Sequence, residues 1–319
     1  MRSIALSLIL LVSSFAGAQT APAAEERTLG WKKASNLGAN VSFSSSSDVV
    51  GQTDGSSQAY GLNLKGSFTH FTEQGEWRNS YTVLGATTRT PSVPRFVKST
   101  DEAKLETIYL YSMKSLPSVG PYAKGEVSAP MFKGEDVRAS DVTYQFADGS
   151  TFTGSTLELT ESFKPLNTKE SVGFFWKAVQ EEKMKLELRA GFGALQVAAD
   201  GQRAISGTDA ATGNVLVVEL TDVSQGGLEL GASLKGKFDE KTSYEAGVET
   251  LTPFINDKRS GDDREAVRLT NIEGFAKISS NITSWASFGY DYKVRIQPQV
   301  VDRTQQIHMM VLNINYNLF

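Results

Sequence analysis

The most constraining feature of this sequence is a long, strict alternation of apolar and polar residues at 183–194. Side chains of an extended strand point to opposite faces in turn, so the two faces of this segment meet different solvents. A strand of a soluble protein is typically about 5–6 residues long, whereas a strand that crosses a bilayer needs about 9–11. The segment is therefore long enough to cross a membrane. Its apolar face carries Met184, Leu186, Leu188, Ala190, Phe192 and Ala194.

The same alternation recurs at 60–69, 227–238, 286–296 and 308–318. Segments of about ten residues that are apolar on one face and polar on the other, separated by turns, are typical of a transmembrane β-barrel. The sequence therefore predicts an all-β fold, a transmembrane antiparallel β-barrel.

We predict twelve strands, joined alternately by short turns and by longer loops, of which 132–165 and 198–225 are the longest. A strand-like run at 215–221 would break this alternation as a thirteenth strand, so we assign it to a surface extension of the following strand. We place a hairpin around Asp148-Gly149 in a surface loop, with a fourteen-stranded barrel as the alternative. The predicted strands are 36–47, 57–71, 75–90, 101–114, 118–131, 166–178, 182–197, 226–238, 241–255, 265–279, 284–297 and 304–319.

The start of the chain predicts an export signal over residues 1–18. Arg2 gives a positive start, residues 4–15 are mostly apolar, and Ala16-Gly17-Ala18 forms a small-residue cleavage site. Residues 19–35 begin rich in alanine, proline and glutamate and predict a flexible periplasmic lead-in.

Residues 36–319 are then expected to form the barrel. The chain ends in Phe319, which resembles the assembly signal of outer-membrane barrels, although Asn317 departs from the pattern of that signal. We therefore expect a place in the outer membrane of a Gram-negative bacterium, with outer-membrane lipids and the barrel assembly machinery as partners.

Composition narrows the classes of function. The 32 basic and 36 acidic residues become 31 and 36 without Arg2, a net charge of −5 that does not suggest a nucleic-acid partner. The absence of cysteine excludes disulfides and thiolate zinc sites. The acidic residues around Gly261 do not have the spacing of a calcium loop. We predict no metal and no cofactor.

The two histidines, His70 and His308, do not predict catalysis. A nucleophile must lie within hydrogen-bond reach of its base. His308 has no adjacent serine, and Ser67 is on the opposite face of the strand from His70. No catalytic residue is predicted, and a lipid-modifying enzyme is the least favoured function.

The predicted lumen is lined by charge. The strand register places fourteen basic and eight acidic side chains inward, an excess of six positive charges. Rings of basic residues favour anions in a pore, which suggests a narrow, passive, weakly anion-preferring channel. Alternatively, opposite charges pair across strands and fill the interior. The basic residues are Lys65, Arg78, Lys104, Lys124, Lys169, Lys177, Lys183, Lys185, Arg189, Lys235, Lys237, Lys277, Lys293 and Arg295. The acidic residues are Glu106, Glu126, Glu187, Glu229, Glu245, Glu249, Glu273 and Asp291.

The loop at 132–165 is acidic, which suggests that it folds into the basic mouth and closes it. Deletion of the loop would then raise the conductance. A second class of function is a non-conducting structural or surface-interaction barrel that presents the loops 132–165 and 198–225.

All four tryptophans, Trp31, Trp77, Trp176 and Trp285, fall at periplasmic strand ends in the predicted topology. Amphipathic rings prefer the interface between membrane and water. The same end of the barrel is predicted to carry Tyr122, Tyr244 and Tyr316.

Three short segments carry a family resemblance. They resemble proteobacterial outer-membrane barrels of the salt-induced type, in glycine and aromatic spacings that extend over most of the mature chain. The resemblance implies a barrel and an outer-membrane location, and brings no functional residues with it. The segments are Phe163-Lys164-Pro165-Leu166, Val172-Gly173-Phe174-Phe175 and Leu188-Arg189-Ala190-Gly191-Phe192-Gly193.

Overall fold

The computed structural model describes residues 29–46, 55–93, 95–256, 264–283 and 286–317. Within these ranges the chain forms sixteen strands, of which twelve close into one antiparallel barrel and four form a separate sheet. The predicted twelve-stranded antiparallel barrel is confirmed. The barrel strands are β1 (Gly30–Ser46), β2 (Gly55–Phe71), β3 (Gly75–Arg89), β4 (Val97–Tyr111), β5 (Val119–Ala129), β8 (Leu166–Gln180), β9 (Met184–Ala198), β12 (Val223–Lys237), β13 (Thr242–Asn256), β14 (Asn271–Asn281), β15 (Ala286–Gln297) and β16 (Val301–Asn317). The strands of the separate sheet are β6 (Gly134–Phe146), β7 (Thr151–Thr160), β10 (Arg203–Thr208) and β11 (Val215–Glu219).

The barrel strands follow one another around the ring in chain order, each antiparallel to its neighbours. The ring is completed where β1 pairs with β16, from Asn36 opposite Asn317 to Ala39 opposite Ile314. We call the end with the connections β2–β3, β4–β5, β8–β9, β12–β13 and β14–β15 the short-turn end. The opposite end is the long-loop end.

Several predicted boundaries are wrong. β1 begins at Gly30 rather than at 36, because β2 extends to Phe71 and supplies partners for residues 30–35. Those six residues therefore belong to the wall and not to the lead-in. At the other boundary, residues 266–269 form a 3-10 helix (Ala266–Leu269) instead of the start of a strand. The predicted export signal at 1–18 lies outside the described residues.

The two longest loops are joined in one sheet with the order β10-β11-β6-β7. The prediction that 215–221 extends the following strand is wrong: β11 is a separate strand that pairs antiparallel with β10 and parallel with β6. β6 and β7 form the expected hairpin outside the barrel, which rules out the fourteen-stranded alternative. The sheet has its own apolar cluster of Tyr144, Leu157, Val215 and Val217.

The outer face of the barrel is an apolar belt. Alternate residues of each strand expose large apolar side chains, with Leu62 at 64%, Phe174 at 61% and Phe192 at 65%. Contiguous apolar surface of this extent is rare on proteins that stay in water. Among the described residues, no helix is both long and apolar enough to span a membrane. The fold is that of a transmembrane β-barrel. Further members of the belt are Leu37, Leu105, Val127, Val172, Leu228, Leu230, Val248 and Ile278.

The inner face is a packed core. Two apolar clusters fill parts of the lumen, one on the β4, β5 and β8 wall and one at the long-loop end of β9, β12 and β13. Side chains therefore occupy parts of the lumen, as they do in small barrels. The first cluster contains Ile108, Leu110, Tyr122 and Phe175. The second contains Leu195, Val197, Ala199, Leu220, Val223, Leu251 and Val300.

Candidate functional site in the lumen

Ion pairs between strands that are not neighbours identify the lumen. Lys124 of β5 lies 2.6 Å from Glu249 of β13, although three strands separate β5 and β13 in the ring. Arg78 of β3 lies 2.9 Å from Glu187 of β9. Such strands meet only through the interior, so these side chains cross it.

These pairs are spread through the barrel interior together with pairs between neighbouring strands, and those of Lys124, Glu249 and Arg189 form a connected network. Glu249 also accepts from Arg189, at 2.7 Å. Tyr122 donates to Glu229 across the interior at 3.2 Å. The further pairs are Lys177–Glu76 at 2.6 Å, Lys293–Glu102 at 2.5 Å, Arg295–Glu273 at 2.8 Å, Lys104–Glu126 at 2.9 Å, Lys65–Asp291 at 3.7 Å, and Lys169–Glu273.

Burial makes these pairs interdependent. The side chains of Lys124 and Glu126 are 4% and 2% exposed, and they also lie 3.6 Å apart. Removing a charge from water is costly unless the charge is paired and hydrogen-bonded. Loss of one partner would leave the other buried and alone, so the network resists opening one pair at a time.

Two glycines allow the crossing by Tyr122. Tyr122, Gly173, Gly191 and Glu229 lie on one row across β5, β8, β9 and β12. A Cβ on Gly173 would come within 2.2 Å of the carbonyl oxygen of Ala190. Because neither Gly173 nor Gly191 has a side chain, the lumen beside them stays open, and the hydroxyl of Tyr122 reaches Glu229.

At the long-loop end, the turn between β15 and β16 folds into the mouth. Gln299 in this turn is 1% exposed. Gln225 of β12 donates to Gln299, and Asn271 of β14 donates to Gln225. Val300 packs in the apolar cluster of β9, β12 and β13. A three-residue turn thus covers part of the lumen from inside.

The lumen also contains a chamber of about 600 Å³. Its wall includes Lys98, Glu102, Phe275, Lys293 and Arg295. Both charged and apolar side chains therefore face this chamber.

Most of the predicted lumen residues are brought together. Contacts across the lumen place Lys65, Arg78, Lys124, Glu187, Arg189, Glu229, Glu273, Asp291 and Lys293 in the interior, and the ion pair with Glu273 on the adjacent strand places Arg295 there. The strand register puts Lys185, Lys235, Lys237 and Lys277 on the same face near the short-turn end. Lys183 precedes β9 in an exposed turn, so it borders the mouth and does not line the lumen.

The predicted set of lumen residues omitted two acidic residues and three apolar residues. Glu76 and Glu102 lie two residues before Arg78 and Lys104, on the same face, and strand parity alone would have found both. Ile108, Leu110 and Phe175 were missed because we expected polar residues inside.

Trp31, Trp77 and Trp176 lie on the outer face. Trp31 and Trp77 have ring centroids 5.9 Å apart near the short-turn end, and Trp176 lies near the same end of β8. Trp285 is outside the described residues. Tyr122, expected at the membrane interface, instead lies in the lumen and is 4% exposed.

The acidic loop joins the second long loop in the surface sheet. Some of its charges pair locally, as in Arg138–Asp136 at 2.6 Å and Lys133–Glu135 at 2.8 Å. Its closure of the mouth stays a prediction.

Two aspartates fix the two points at which the chain leaves the barrel wall to form the surface sheet, and we call these points the bases of the sheet. Asp101 of β4 accepts from the backbone N–H groups of Met131 and Phe132, both at 2.9 Å. Asp222 accepts from those of Ala199 and Asp200, at 2.9 Å or less. The backbone donors of Asp200 and Ala199 hold the pKa of Asp222 below its usual value.

His70 lies on the outer face, with its ring centroid 4.8 Å from that of Trp31. His308 belongs to β16, and its side chain is outside the described part of the structure. The structure therefore brings no serine and histidine together at His70.

Comparisons with known proteins find other barrels. No protein-family model matches the chain, and no curated protein matches it. The translocator domain of the autotransporter NalP from Neisseria meningitidis is 13% identical with a TM-score of 0.39, covering 92% of this chain and 90% of that one. An outer membrane channel from Pseudomonas putida F1 is 10% identical with a TM-score of 0.40, covering 91% and 95%. The NanC porin is 10% identical with a TM-score of 0.35, covering 89% and 96%. Similarity at this level carries no information on activity.

Proposed function

We propose that this chain is an outer-membrane barrel with a closed lumen, which presents the sheet β10-β11-β6-β7 at the cell surface. The observation that carries the proposal is the set of ion pairs that crosses the interior. Ions or solutes would have to break buried pairs such as Lys124–Glu249 to pass.

The export signal expected at 1–18 and the apolar belt support the outer-membrane location. Barrels of this class keep short turns in the periplasm and longer loops outside. In that orientation the surface sheet faces the exterior. Its strands are ordered by their own apolar cluster and held at both bases by Asp101 and Asp222.

Gln202 joins the two long connections into one unit. Its backbone oxygen accepts from the N–H of Leu220, and its side-chain oxygen accepts from that of Glu161, both at 2.7 Å. The two hairpins are thus displayed together, as expected for a surface whose shape matters to a partner.

Epitope insertion tests this arrangement. A tag inserted between Asp148 and Gly149 should bind antibody on intact cells, whereas a tag between Glu181 and Glu182 should bind only after permeabilisation. Labelling of the second tag on intact cells, or of the first only in permeabilised cells, would contradict the proposal.

A weakly anion-preferring channel is the second candidate. Lys185 and Lys235 are direct cross-strand partners, and Lys237 follows on the same face. Like charges placed opposite one another are destabilising, so this part of the wall favours anions. A channel would require the lumen network to rearrange, and the reversal potential in a KCl gradient would then shift toward that of chloride.

A further inference from the structure

The proposed closure of the lumen gives no role to the chamber of about 600 Å³. It lies between the wall of β4 and β5 and the wall of β13 to β16. Its volume is within the range of small-molecule sites, about 300–1,000 Å³.

The chamber extends along the lumen to the long-loop end. The ion pairs Lys104–Glu106 and Arg189–Glu249 line it, and its wall continues toward the short-turn end as far as Glu245. Its wall reaches the long-loop end at Pro130, where the surface sheet begins. A ligand would enter from the side that the long loops face.

Paired charges of both signs line the pocket. Lys293 lies 2.5 Å from Glu102, with side chains 39% and 20% exposed. Arg295 lies 2.8 Å from Glu273. These charges contact one another and are still partly open to the chamber.

An apolar surface lies beside the charges. Phe275, Lys293 and Ile307 are register partners on the adjacent strands β14, β15 and β16. The Phe275 ring lies over Gly247, where an added Cβ would be 2.5 Å from the ring. Phe275 and Ile307 are 40% and 45% exposed, and both line the chamber.

We propose that the chamber binds a small zwitterion with an apolar group, of the class of apolar α-amino acids. The ligand carboxylate pairs with Lys293, its ammonium group pairs with Glu102, and its apolar group contacts Phe275 and Ile307. A ligand with a single charge would leave one wall charge without a partner, which is unfavourable in a partly buried site. A zwitterion replaces both partners at once.

Calorimetric titration of the purified, detergent-solubilised protein tests the proposal with four probes. L-phenylalanine should bind. Glycine lacks the apolar group, 3-phenylpropanoate lacks the ammonium group, and 2-phenylethylamine lacks the carboxylate, so each should bind at least tenfold more weakly. The absence of L-phenylalanine binding, or equal binding of either singly charged analogue, would overturn the proposal.

Variants locate the binding site. Lys293→Met and Phe275→Ala should each weaken L-phenylalanine binding by about tenfold or more. Lys237→Met, near the short-turn end, should leave binding unchanged, because neither Lys237 nor its register partner Ser243 lines the chamber. Heat-modifiable migration on gels checks that each barrel is folded. Binding that is unaffected by Phe275→Ala in a folded protein would also overturn the proposal.

Discussion

At the scale of single residues, several of the lumen charges depend on the opposite wall. Lys124 contacts Glu249 across the interior and Glu126 within its own strand, so one lysine links two sides of the barrel. The tyrosine at 122 works in the same way through Glu229. Such a contact can form where the residues between the two partners in the strand register are small, as Gly173 and Gly191 are between Tyr122 and Glu229.

Gly191 is a test of this dependence. A Cβ there would lie 2.2 Å from the carbonyl oxygen of Val172, so Gly191→Val should force β8 and β9 apart. We expect the free energy of unfolding in urea to fall by about 1–3 kcal/mol, as for other overpacked sites. Gly85→Val is the matched control, since nothing lies within 4 Å of a Cβ there. Equal losses in both variants would contradict the argument.

Asp222 gives a pH dependence at the base of β10. Its pKa is lower in the folded protein than in the unfolded chain. The contact therefore stabilises the base above the unfolded pKa and is lost as the pH falls through the folded pKa. Amide hydrogen exchange at 198–202, corrected for intrinsic rates, should rise on acidification from neutral pH to pH about 3.

The variant Asp222→Asn should show the faster exchange at neutral pH as well, because the charged acceptor is gone. Protection in that variant equal to that of the wild type would show that the carboxylate does not hold the base.

At the scale of elements, the connection between β15 and β16 is part of the core. Val300 is 7% exposed and packs against the wall. The chain has no cysteine, so single cysteines can be labelled without background. Val300→Cys should react with a membrane-impermeant thiol reagent at least tenfold more slowly than Thr151→Cys in the exposed hairpin. Similar labelling rates for the two cysteines would contradict the packing of the β15–β16 turn inside the barrel.

The sequence predicted the strands because lipid and lumen impose opposite polarities on alternate residues. It predicted most lumen charges for the same reason. It did not predict Phe175 or Leu110 inside, since an apolar side chain is compatible with either face. The inward turn at Gln299 depends on contacts with β12 and β14, which are distant in the chain and leave no local pattern.

The surface sheet shows the same limit of prediction from a local sequence pattern. The run at 215–221 has strand character, yet its partner β6 lies about seventy residues earlier and is parallel to it. Alternation identifies a strand and does not identify its neighbour. The rule that turns alternate with loops then assigned the run to the wrong element.

At the scale of the whole molecule, the outer face of the barrel is apolar and suits contact with lipid, whereas its inner face carries paired charges and packed apolar side chains. Large apolar side chains cover the outer face, while ion pairs and two apolar clusters occupy parts of the lumen. This combination separates the wall, which crosses the membrane, from the surface sheet and the chamber, which we propose to be accessible from the exterior.

Single-channel recording tests the closed lumen most directly. Purified protein is reconstituted in planar bilayers, and its insertion is checked by flotation with liposomes of the same lipid. The account predicts no long-lived conductance steps from the wild type. Stable steps of constant size from inserted wild-type protein would contradict it.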